Sequence, residues 1–117
     1  MQAAGEPQPA ERFRLAYLAA LRGAGAVVDS PVAARGRGRS RNAWVLLVRA
    51  APEFTMWADY FAEFSDTRAA LEAGISRTVT ARHADEFFAR VGAFLHDVED
   101  LIGDPARMRA DDAGLTA

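Results

Sequence analysis

Arg77 and His83 are the residues whose types and spacing point to joint chemistry. They bound the run RTVTARH, where one helical pattern gives way to the last helix of the chain. On a single continuous helix, six steps would leave the two side chains roughly 240° apart. Thr80 lies between them and is a helix-capping residue, so the segment before it is free to fold back. Arg77 then reaches the space in front of the last helix. His83 sits in the first turn, where unpaired N–H groups favour an anion such as phosphate. Arg82 adds a second cation. A histidine that moves protons and an arginine that holds phosphoryl oxygens are the minimum for metal-free cleavage of RNA through its 2′-hydroxyl. The competing reading is plainer. All 14 basic residues are arginine, so chance placement of one is easy, and His83 then merely follows a cap.

Other groups carry weaker signals. Arg90 and His96 repeat the spacing inside one helix and so face different ways. His96 stands four residues before Asp100, which suits a structural pair. The run ARGRGRSR supplies Arg35, Arg37, Arg39 and Arg41 with no acid among them. Four arginines in a row of this kind can grip a nucleic-acid backbone. They equally suit a solvated connection, made flexible by glycine and serine and lacking an aromatic residue to stack on bases. Asp59, Glu63 and Asp66 have no Glu-x-x-His companion, which argues against a di-iron site. Cysteine is absent, so disulfides and thiolate metal sites are excluded. The GAGAV run follows no strand and is no dinucleotide fingerprint. Neither a metal nor a cofactor is expected.

The elements that must position these residues are helical. Phe13, Tyr17, Leu21, Ala24 and Val28 recur at steps of three or four, widened by Leu18 and Val27, and predict a first helix from about residue 10. Gly23 and Gly25 weaken it unless another helix packs closely. Asp29, Ser30 and Pro31 end it. A second helix begins near Asn42; its run AWVLLV is apolar nearly all round and predicts the most buried element. A third helix opens at Pro52, carries Phe54, Trp57, Phe61 and Phe64, and continues to Glu72 with a kink near Ser65. Gly74 is a left-handed cap. The fourth helix follows Thr80, with Phe87, Val91, Phe94, Val98 and Leu101 on one stripe, and stops at Gly103. The expectation is an all-α, antiparallel bundle of about four helices over residues 10–103. Residues 1–9 are expected to form a disordered lead and residues 104–117 a disordered tail.

Composition bounds the rest. A chain of 117 residues allows one domain, and 50% hydrophobic residues supply one core. A net charge of -2 argues against an avid non-specific nucleic-acid binder. The N-terminus lacks the basic start and apolar run of a secretory signal. No segment approaches a membrane span. A cytoplasmic protein is expected.

The runs FRLAYLAALRGA, AWVLLVRAAPEF and VTARHADEFFARVGAFL, together with the Arg77/His83 spacing, make residues 12–102 resemble the HEPN superfamily (higher-eukaryote-and-prokaryote nucleotide-binding domains), in particular a small branch found in GC-rich bacteria. The resemblance implies a helical bundle. RNase members of that superfamily place Arg, four to six residues, then His close to the last long helix, which implies a metal-independent endoribonuclease site at Arg77 and His83. It also implies a homodimer with the motif at its interface, pairing with a nucleotidyltransferase, or a place in toxin–antitoxin biology. Thr78 departs from the polar Asn, Asp or His that active members often carry there. Two functional expectations therefore stand together. One is a protein of RNA-linked stress biology with RNase activity, RNA being gripped by Arg82 and the loop arginines. The other is a non-catalytic module for dimerisation or partner binding, with Tyr60 and Phe88, which lie off the main stripes, on the shared surface.

Overall fold

The computed structural model describes residues 8–34, 40–75 and 79–103, and the described residues form helices joined by turns. Helix α1 spans Pro9–Val28, α2 Ala43–Ala50, α3 Thr55–Ala62, α4 Ser65–Glu72 and α5 Ala81–Gly103, with a 3-10 turn at Pro52–Phe54 between α2 and α3. The lead up to residue 7 and the tail from residue 104 lie outside the described residues.

Local chemistry sets each boundary. Pro9 opens α1, where its missing N–H costs nothing. The side chain of Asn42 caps α2, accepting from the N–H groups of Trp44 at 2.9 Å and Val45 at 3.2 Å. Gly74 ends α4 with φ +89°, a left-handed conformation that suits glycine. Its N–H bonds the Leu71 carbonyl at 3.0 Å and that of Ile75 bonds Ala70 at 2.9 Å, the paired closure of a Schellman motif.

The expected third helix is divided. A 3-10 turn precedes it, and a break at Glu63–Phe64 separates α3 from α4. The break turns Phe64 inward, 5.6 Å from the Phe13 ring centroid and 5.0 Å from that of Phe87. Ser65 and Asp66 follow, residue types that favour helix starts over interiors.

The core is aromatic and centred on Phe61, which is fully buried. Its ring lies 4.9 Å from Trp44 and 5.0 Å from Phe94. Every residue of the expected α5 stripe is buried, joined by Ala84. Helices α1 and α5 form the most extensive helix pair. They run in the same direction, because Arg12 meets Asp85, Phe13 stacks on Phe87, and Gly23 faces Phe94 and Leu95. The antiparallel relation belongs to α3 and α5, where Trp57 meets Phe94 and Phe64 meets Phe87. Gly23 permits the close approach: a Cβ there would stand 2.6 Å from Leu95 Cδ2.

One expectation of burial is corrected. Helix α2 buries only Trp44, Leu47 and Ala50, and leaves Val45 38% exposed. Eight residues at the side of the bundle touch neighbours on one side only, so an apolar run all round does not make the helix central. Trp57 packs on the core but is only partly buried, because its indole N–H reaches out to Asp97 Oδ2 at 2.9 Å.

Candidate functional site at the start of the last helix

Thr80 fixes the first turn of α5. Its Oγ1 accepts from the His83 N–H at 3.1 Å, and its carbonyl accepts from the Ala84 N–H at 3.0 Å. His83 is therefore the third helical residue, with its backbone donor already occupied. An acid at this position would complete a capping box by reaching back to the Thr80 N–H.

The imidazole is exposed and stands over a cleft of about 290 Å³. The cleft floor is aromatic carbon from Phe13, Phe64 and Phe87, while Tyr60 and Glu86 share its margin with His83. Burial pushes the Tyr60 hydroxyl above its usual pKa; Glu86 and Glu63 add to that, and Arg90 opposes it.

Two of the described cations at this end lie beside carboxylates. Arg12 of α1, whose side chain is only 13% exposed, donates to the Ala81 carbonyl at 3.2 Å and pairs with the Asp85 carboxylate. That contact ties the start of α1 to the start of α5. Arg82 lies 3.8 Å from Glu86 on the surface. Arg12 had no signal in the sequence: its partners lie 69 and 73 positions away.

The remaining candidates separate. Arg77, Arg35, Arg37 and Arg39 lie outside the described residues. Arg41 is exposed immediately before the Asn42 cap, on the segment leading into α2. His96 contacts Asp100 at 3.5 Å, the structural pairing expected of it. Tyr60 and Phe88 are partly buried against their own chain's core; the Tyr60 ring centroid lies 5.2 Å from Phe61 and 5.1 Å from Phe64. Among the described residues no three His, Asp or Glu side chains converge as a metal site, and no helix is long and apolar enough to cross a membrane.

A family model described as SAV_6107-like HEPN matches residues 3–99 of the chain. No curated protein and no solved structure matches it.

Proposed function

We propose that this chain, which belongs to the SAV_6107-like HEPN family, is a non-catalytic interaction module that recognises another protein chain within cytoplasmic, nucleic-acid-linked biology. The surroundings of His83 carry the reading. A phosphodiester brings negative charge that free cations must meet, both on binding and in the transition state. Here the cleft is floored by aromatic carbon and Glu86 shares its margin; among the described cations Arg12 and Arg82 each lie beside a carboxylate, and Arg90 is left near Tyr60. Such a cleft suits an apolar side chain rather than a phosphate. A nucleotidyltransferase or a second copy of the chain are the partner types that the family suggests.

A second reading keeps its place through one observation: the imidazole of His83 is exposed at the first turn of α5, open to a ligand. In that reading the chain is a metal-independent endoribonuclease. The 2′-oxygen bonds to the phosphorus as His83 takes its proton, the P–O5′ bond breaks, and the departing 5′-oxygen takes a proton from water or from the imidazolium; Arg77 holds the developing charge while Arg82 and the loop arginines Arg35, Arg37, Arg39 and Arg41 steer the strand. One assay separates the two. Single-stranded RNA is incubated with the protein in EDTA, beside His83→Ala and Arg77→Ala. The module reading expects no cleavage above background in all three. Cleavage by the wild type that leaves a 2′,3′-cyclic phosphate and is lost in both variants would overturn it and establish the RNase.

A further inference from the structure

Among the described α-helices, α4 alone buries no residue. Open space flanks it on both sides. A cleft of about 350 Å³ separates it from α1, between Tyr17 and the α4 residues Ser65, Arg68, Ala69 and Glu72. On the other flank lies the His83 cleft, which Thr67 of α4 helps to line. Leu71 packs against the core but is only partly buried, and the Arg68 guanidinium lies 5.5 Å from the centroid of the Tyr17 ring. Glu72 adds an attraction to Arg14 of α1. The contact of Arg68 with Glu72, at 3.9 Å, is internal to the helix. The chain on either side is anchored more firmly: Phe64 sets its ring against Phe13 and Phe87, and Val79 is buried again.

We propose that α4 is a lid, and that Ser65–Glu72 comes away from the bundle as a unit while the rest of the fold stays closed. Beneath it, the Phe13 and Tyr17 rings lie 6.2 Å apart, and each stacks on Phe87. With α4 away, the two clefts join into one trough floored by those three rings. Release is an unwinding rather than a rigid swing. Eight residues are too few to stay helical without packing. The closure at Gly74 uses the Ala70 and Leu71 carbonyls, so it is lost with the helix. Each of the other four α-helices carries at least one buried aromatic residue and α4 carries none, which places α4 at the low end of local stability. The lid stands without the interaction-module reading; its use, widening the His83 cleft for the apolar side chains of a partner, rests on that reading.

Hydrogen exchange on the full chain, followed amide by amide by NMR near neutral pH, tests it. The amides of Ala69, Ala70, Leu71 and Glu72 are protected together, within about threefold of one another after correction for intrinsic rates, and exchange about a hundredfold or more faster than those of Val91 and Phe94 in α5. Val98→Ala then separates local from global opening. Val98 is buried, about 16 Å beyond Phe87 along α5 and away from α4. Its contacts survive lid opening and vanish only when the whole chain unfolds. The variant speeds exchange at Val91 and Phe94 about tenfold or more and leaves the α4 amides unchanged. Equal protection of α4 and α5 in the wild type overturns the proposal, as does an α4 that speeds up with α5 in the variant. Unprotected α4 amides overturn it too, since no closed lid then exists. Any of these results leaves the module reading intact, since that reading falls only on RNA cleavage that depends on His83 and Arg77.

Discussion

Replacing Gly23 and Gly25 by alanine, one at a time, measures how tightly α1 and α5 are packed. Both glycines lie in the last third of α1, so both substitutions gain similar intrinsic helix stability, about 0.8–1 kcal/mol. Their surroundings differ. A Cβ at Gly25 meets nothing within 4 Å, whereas one at Gly23 stands 2.6 Å from Leu95 Cδ2 and 3.2 Å from Phe94 Cε2. Leu95 is only partly buried and its terminal methyl can swing aside. The Phe94 ring is fully buried, against Trp57 at 5.6 Å and Phe61 at 5.0 Å, and has nowhere to move. Overpacking of this kind costs about 1–3 kcal/mol. Gly25→Ala is therefore stabilised by up to about 1 kcal/mol, and Gly23→Ala is neutral to destabilised by about 2 kcal/mol. The difference between the two variants cancels the propensity gain and isolates the steric cost. Urea unfolding, read at unchanged slope, gives that difference directly. Adding Leu95→Ala to Gly23→Ala should remove part of the cost, leaving the share due to Phe94. If Gly23→Ala stabilises the protein as much as Gly25→Ala does, α1 and α5 do not approach as closely as described.

Two further perturbations test the interior. The indole N–H of Trp44 donates to the Tyr17 hydroxyl at 2.9 Å, both residues being buried. Tyr17→Phe strands that donor and should cost about 1–3 kcal/mol; adding Trp44→Phe should cost less than the sum of the single changes, and strict additivity in thermal unfolding would deny the bond. Tyr60 has its pKa raised in the fold, chiefly by burial, so the folded state holds its proton more tightly than the unfolded chain does. Its contribution is fully present below about pH 10 and is lost as pH rises from there through the folded value. Melting temperature measured from pH 8 to 11 should fall less steeply in Tyr60→Phe than in the wild type, and parallel curves would count against the shift.

Long amphipathic helices were the legible part of the sequence. The α5 stripe from Phe87 to Leu101 is buried as its spacing predicts, because 23 residues sample one face many times. Short elements were less legible. The apolar run of α2 looks central by composition, yet its burial is decided by how many neighbours surround it. The chain's path was also hidden in part. Helices α1 and α5 lie parallel, a relation that no local pattern encodes. At the candidate site, the Thr80 cap and the place of His83 in the first turn followed from residue type. Arg12 did not, because its role depends wholly on which helix starts meet in space. The compensation of Asp85 was equally hidden, since its partner Arg12 lies 73 positions away, whereas Arg82 and Glu86 stand four apart on one helix.

The two open faces of this protein differ in how freely they can change. The floor of the His83 cleft is also core: Phe13 and Phe87 are 2% and 1% exposed, and they stack with ring centroids 4.1 Å apart. Changing that floor to suit a new ligand removes buried aromatic packing, at about 3–5 kcal/mol for loss of a phenylalanine. That is a large part of the stability of a small domain. Chemistry at this end can therefore vary only at the margin, through His83, Glu86, Tyr60 and the unlike pairs around them. A groove between α2 and α3 is freer at its margin, although Trp44 and Ala58 in its lining belong to the core. Val45, Arg49, Asp59 and Ala62 can be exchanged with little loss of core, because each is exposed in the single chain.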